Sequence, residues 1–279
     1  MKIKAITIRC TYWKPGTDYI NKIIPKIENK IKTDDIIAIS EKAISTALGN
    51  ILDEKTITPG KIARILASFW TRKIWGGPLG KITGLKKQTI ENLKNYPELE
   101  GAAHKQLALR KVGLLQSLRH YSEGGIDASN LPFTFVSFPL NNPMEIATEI
   151  REEIQKKLGV KVTVMIMDGD TTYTWRNLHL SPRKLESSDF IHLGGVITFI
   201  LGRVFGLKSR QTPIAISGKY VNPDRALWYA HLFHRQCGGG AGRTVWSMSE
   251  KMETSITGVT WEMLESVDHY PITIIRVLE

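Results

Sequence analysis

Cysteine is nearly missing from this 279-residue chain: Cys10 and Cys237 are the only two, too few and too distant for a disulfide framework or a zinc site, so reduced thiols are expected. Long apolar runs are missing as well. No stretch reaches the length of a membrane span, and the first ten residues alternate like a strand instead of carrying the apolar block of a signal peptide. The expectation is a cytoplasmic protein with no membrane partner. Internal repeats, low-complexity linkers and dense Lys/Arg blocks are also lacking. The net charge of +11 is spread along the chain without a basic tail, and its field would attract a nucleic acid or a small polyanion such as a nucleoside triphosphate.

What is present is ordinary globular material, 42% hydrophobic and 23% charged, enough for one large domain or two small lobes. After the first strand, Thr17-Asp18 caps a helix with Ile20, Ile23, Ile24, Ile27 and Ile31 on one face. Ile36 to Ile39 reads as a buried strand running into Ser40-Glu41-Lys42. Thr58-Pro59 has the order of a helix start, with Ile62, Ile65, Leu66, Phe69 and Trp70 as a core-facing stripe. His104 to His120 fits a helix, and its two histidines read as surface or packing residues. Phe133 to Leu140 is strand-like, Ile146, Ile150, Ile154 and Leu158 mark a helix, and Val160 to Met167 is the clearest buried strand. Gly194 to Leu207 reads as a packed helix or a strand-turn-helix, Thr212 to Ser217 and Pro271 to Leu278 as strands, and Asn222-Pro223-Asp224 as the start of a helix through Phe233.

Chemistry concentrates in four places. The stretch Ser122 to Pro132 sets Asp127 among Gly124, Gly125, Ser129 and Asn130, an acceptor, a hydroxyl and an amide within four positions of a flexible turn. An Asx turn before a strand is the plainer reading of that string. The strand ending at Met167 is followed by Asp168-Gly169-Asp170, two more carboxylates whose hard oxygens suit Mg²⁺ or Mn²⁺. The run Gly238-Gly239-Gly240-Ala241-Gly242-Arg243 can wrap backbone N–H groups around phosphate, although it lacks the Lys-Ser/Thr ending of a P-loop. A cation and hydroxyls at a strand end, here Lys42 and Ser40, mark a usual ligand position in open α/β sheets.

In order and content these pieces resemble the gamma-glutamyl ligase family of the deazaflavin coenzyme F-420. Gly125-Ile126-Asp127-Ala128-Ser129-Asn130 agrees with that family's turn letter for letter, and the resemblance runs from about Ile36 to Gly242. It implies an α+β fold of two lobes forming one ligase-like unit over 1–279, a homodimer, and GTP (or ATP) with Mg²⁺ or Mn²⁺. It also implies Asp127 and Asp168 as metal ligands, with Asp170 able to supply a further oxygen. Ser40, Lys42 and Asn130 would meet the nucleotide, joined by Gly238, Gly239, Gly240, Gly242 and Arg243, and Asp127, Asp168 and Lys42 would be catalytic. The substrates implied are a carboxylate acceptor, the coenzyme precursor first among them, and L-glutamate. Departures are visible too: Gly169 stands where the family usually has Thr, Thr46 and Leu48 replace a Lys and a Glu, and Gly238 to Gly242 contains no acid. The rival readings are a related ligase or phosphoryl-transfer enzyme on another acid, and a basic nucleic-acid-binding protein. Charge alone gives the second no reason for paired acidic turns.

Overall fold

The fold is described from a computed structural model, over residues 2–121 and 123–278; Ser122 of the Asp127 stretch lies outside the described residues. It is mixed α and β, as the α+β expectation required. The strands are β1 (Lys2–Cys10), β2 (Ile36–Ser40), β3 (Ile51–Asp53), β4 (Phe135–Ser137), β5 (Thr163–Trp175), β6 (Leu178–Ser181), β7 (Phe190–His192), β8 (Lys208–Ser217) and β9 (His269–Leu278). Seven form one sheet in the order β1-β9-β2-β5-β6-β7, with β8 pairing β5 on its other edge; β3 and β4 make a separate pair.

The centre of the large sheet is buried on both faces, which is why its strands read as unbroken apolar runs. Ile37, Ile39, Val164, Ile166, Ile272 and Ile274 point one way, into a core shared with the helices Tyr19–Ile27 and Pro143–Leu158. Ala38, Met165, Met167 and Ile275 point the other way, against Ala226, Tyr229, Ala230 and Phe233 of the helix Pro223–Cys237. Each fully buried isoleucine contributes about 1.5–3 kcal/mol relative to exposure. The helix Tyr19–Ile27 is capped by Asp18, whose carboxylate accepts from Asn21 N, and its apolar face, Ile23, Ile24 and Ile27, is buried as its spacing requires.

One pairing positions the site. β2 and β5 run parallel with Ser40 opposite Met167, so the start of the helix Glu41–Ala47 and the residue after Met167 emerge side by side.

Four expectations need correction. Asp168-Gly169-Asp170 is not a turn at a strand end: β5 continues to Trp175, and its pairing with β8 steps from Asp168↔Thr212 to Thr171↔Gln211. Gly169 and Asp170 are therefore the extra residues of a bulge, a device that re-aims side chains beside active sites. The stripe Ile62, Ile65, Phe69 is not core, being 64%, 58% and 55% exposed, while Ala63, Leu66 and Ala67 are buried. Here a helix Lys61–Ile65 passes into a π-helical stretch, Leu66–Trp75, whose wider turn rotates the buried face away from the ideal 3.6-residue pattern. Finally, His104 to His120 is two helices, Glu98–Lys111 and Leu114–Ser117, separated at Gly113, and the strand read over Phe133 to Leu140 shrinks to the three residues of β4.

Candidate functional site

A cleft of about 260 Å³ collects residues from every stretch marked above: Ser40, Lys42, Asp127, Asn130, Asp168, Asp170, Gly238 to Gly240, Gly242 and Arg243 all line it. Asp127 is held by an antiparallel bridge to Ser137, N to O at 3.1 Å and O to N at 2.9 Å. Its Oδ1 accepts from Ser129 N at 2.7 Å, the Asx turn that was the plainer reading. That turn leaves Oδ2 to form an ion pair with Lys42. Lys42 Nζ also donates to Ser129 Oγ at 2.8 Å and Ser129 O at 3.1 Å. Ser40 caps the helix Glu41–Ala47 by accepting from Ala43 N at 3.4 Å.

Beneath the cleft lie buried arginines that sequence reading missed. Arg183 Nη2 donates to Glu41 Oε2 at 2.5 Å, and Nη1 lies 3.6 Å from Asp168 Oδ2. Burial works against the charge of Arg183, but Glu41 and then Asp168 outweigh it and hold its pKa above the ordinary arginine value. A Cβ on Gly125 would come within 2.1 Å of Arg183 Nη1, so the first turn needs glycine there because a guanidinium passes directly behind it. Arg119 faces Asp170 at 3.5 Å. No local pattern signals either pairing, since the partners are 15 and 51 positions or more apart.

Asn130 does something other than face solvent. Its Oδ1 accepts from Ala241 N at 2.6 Å and its Nδ2 donates to Gly242 O at 2.7 Å, so it pins the glycine-rich loop to the Asp127 turn. Gly240 has φ +57°, and a Cβ there would sit 2.5 Å from Asn130 Oδ1. Gly240→Ala is expected to cost about 1–2 kcal/mol from the left-handed backbone alone, read as a lowered urea midpoint. His234, on the helix Pro223–Cys237, also lines the cleft. Burial, then Arg243 and His231, push it below the usual imidazole value, with Asp168 opposing, so it is neutral at pH 7.

His104 is a second finding the sequence hid. It is buried between Glu54 (2.7 Å) and Glu123 (3.2 Å), and Lys105, fully buried, donates to Glu123, Ser117 O and Arg119 O. Burial opposes its charge, yet Glu54 and Glu123 raise it to about 10. The folded protein thus keeps a proton there that the unfolded chain releases near 6.5. The associated stability is complete below pH 6.5 and is lost as pH rises through about 10. The urea midpoint should fall over that window more steeply in the native protein than in His104→Gln.

The fit to a metal can be judged from the donors. Asp127 is 40% exposed and Asp168 19%; Asp168 Oδ2 is itself buried and paired with Arg183, so Asp168 can offer only the rest of its carboxylate to the cleft. Among the described residues no three His, Cys, Asp or Glu side chains form a metal cluster. Two carboxylates suit Mg²⁺ or Mn²⁺ completed by phosphate and water, and not a closed zinc site. Asp170 is buried against Arg119.

Comparison with known proteins settles the family. The model for F420-0:Gamma-glutamyl ligase matches residues 7–180. The chain belongs to that ligase family. An uncharacterized protein of Methanocaldococcus jannaschii is 34% identical over 99% of this chain and 97% of its own length. The coenzyme F420:L-glutamate ligase of the same organism is 27% identical over 60% of each chain. For this member of the ligase family the matched region holds Ser40, Lys42, Asp127, Asn130, Asp168 and Asp170, while Arg183, His234 and the glycine-rich loop lie beyond it. No helix among the described residues is long and apolar enough to cross a membrane.

Proposed function

We propose that the chain is a metal- and nucleotide-dependent ligase that joins L-glutamate to a carboxylate acceptor through an acyl phosphate, with the coenzyme F420 precursor as acceptor and GTP or ATP as the triphosphate. The observation that carries this reading is the meeting of Asp127, Asp168, Lys42 and Arg243, from four distant parts of the chain, around one cleft.

In the first step a carboxylate oxygen of the acceptor attacks the γ-phosphorus, the bond to the β,γ-bridging oxygen breaks, and nucleoside diphosphate leaves. In the second, the amine of glutamate attacks the acyl carbon, the C–O bond to phosphate breaks, and inorganic phosphate and the amide result. Lys42 and Arg243 offset the charge of the phosphoryl group, and the loop from Gly238 to Gly242 offers it backbone N–H groups. His234, neutral at the cleft wall, takes the proton the amine must lose. Mg²⁺ or Mn²⁺ on Asp127 and Asp168, when bound, would bring the phosphate oxygens into line and lower their repulsion. The chain acts as a homodimer in this reading, with exposed Ile62, Ile65 and Phe69 available for contact.

Calorimetric titration with GTP should show binding only with Mg²⁺ or Mn²⁺ present, and the acceptor plus glutamate should then release nucleoside diphosphate and inorganic phosphate. Equally tight binding without metal would sink the proposal. A screen of other acids for nucleoside diphosphate release separates the related-ligase alternative.

A further inference from the structure

Each of the two carboxylates proposed to meet a metal ion has one oxygen already engaged by the protein. Asp127 Oδ1 accepts from Ser129 N at 2.7 Å. Asp168 Oδ2 is buried and faces Arg183 Nη1 at 3.6 Å. That separation makes an ion pair without a hydrogen bond, and neither atom has a hydrogen-bond partner elsewhere. With Oδ2 turned inward, the part of Asp168 that lines the cleft is its Oδ1 edge.

Arg183 is itself held in place. Its Nη2 donates to Glu41 Oε2 at 2.5 Å, its carbonyl accepts from Ser181 Oγ at 2.6 Å, and Gly125 crowds Nη1, where a Cβ would come within 2.1 Å. Glu41 also offsets its charge, so a cation at Asp168 meets an undiminished carboxylate. What the guanidinium supplies is direction. Direction decides which ion fits: Ca²⁺ takes roughly six to eight oxygens and often grips a carboxylate by both, whereas Mg²⁺ keeps an octahedral shell of single oxygens and water. A carboxylate with one oxygen locked away serves Mg²⁺ and starves Ca²⁺. Arg183 stands beyond the stretch that the family model matches, residues 7–180, so its hold on Asp168 is not part of what defines the family.

We propose that Arg183 is a positioning residue that holds Asp168 to one-oxygen coordination and so selects Mg²⁺ or Mn²⁺ over Ca²⁺ in the cleft. The proposal rests on the ligase reading for the metal at Asp168, and on no part of it for the substrates.

The test titrates Mn²⁺ into the full chain, follows its electron paramagnetic resonance signal, and then displaces it with Mg²⁺ or with Ca²⁺. The wild-type protein should need about tenfold or more Ca²⁺ than Mg²⁺ for half-displacement. Arg183→Lys keeps the charge but gives up the fork; a single ammonium left on Glu41 frees Asp168 to rotate, and the ratio should fall by about tenfold. Glu41→Gln disturbs the same buried pair but leaves the guanidinium on Asp168, so its ratio should stay at the wild-type value. A ratio that Arg183→Lys leaves unchanged, or that Glu41→Gln shifts as far, overturns the proposal. Should Arg183→Lys fail to fold, as judged by thermal melting, infrared difference spectra of the wild-type protein with Mg²⁺ and with Ca²⁺ decide: carboxylate bands of one-oxygen coordination alone support it, and a two-oxygen band overturns it. An absence of saturable Mn²⁺ binding removes both the proposal and the metal of the ligase reading. A shifted ratio with no nucleoside diphosphate release from any acid leaves Arg183 its role and removes the ligase reading, whereas release with an unshifted ratio does the reverse.

Discussion

Asp127→Asn is expected to lower amide formation by on the order of 10²–10³-fold, the loss typical when one pre-aligned electrostatic contact to a reacting group is removed, and to abolish metal-dependent triphosphate binding. The substitution is chosen to spare the fold. An asparagine Oδ1 can keep the 2.7 Å bond from Ser129 N, and the backbone bridge to Ser137 does not involve the side chain. Lys42 loses its ionic partner but keeps Ser129. The melting temperature should therefore move little while catalysis collapses. Wild-type turnover in a folded Asp127→Asn protein would remove this carboxylate from the reaction and the acyl-phosphate scheme with it.

Arg183→Met should have the largest effect on stability. It strips the guanidinium from between Glu41 and Asp168, leaving two carboxylates close together under the cleft with no cation between them. Removing one partner of a buried ion pair costs about 3–5 kcal/mol, and urea unfolding should show a loss of that size. Because the penalty is the stranded charge and not the missing contact, adding Glu41→Gln to Arg183→Met should recover part of it, a non-additivity that a double-mutant cycle reads directly. A loss below about 1 kcal/mol would mean that the two carboxylates already share protons or water in the folded protein.

Local pattern carried much of this fold. β2, the core of β5 and the isoleucine faces of Tyr19–Ile27 and Pro143–Leu158 are visible because burial on one or both faces imposes a period on a single short segment. The Asp127 turn was legible for the same reason, its glycines, acid and amide being neighbours. The bulge in β5 was not, because the extra residues are defined only by the register of β8, some forty positions later. Nor was the exposure of Ile62, Ile65 and Phe69, since an i, i+3, i+7 pattern predicts burial only when the helix keeps 3.6 residues per turn, and this one opens to a π-helical stretch. His104 reads as a surface or packing residue, and nothing local marks out Arg119 or Arg183, until the tertiary contacts bring each to a buried carboxylate. The candidate site was thus readable in its exposed groups and hidden in the counter-charges that hold them.

The side-chain amide of Asn130 joins two segments more than a hundred positions apart, gripping the glycine-rich loop at both Ala241 N and Gly242 O. A chimaera that imports that loop from a relative must therefore import whatever stands at position 130 as well. In swapping parts between these proteins, the two stretches are a single inheritable module, and shuffled libraries that cut between them should yield mostly inactive chains.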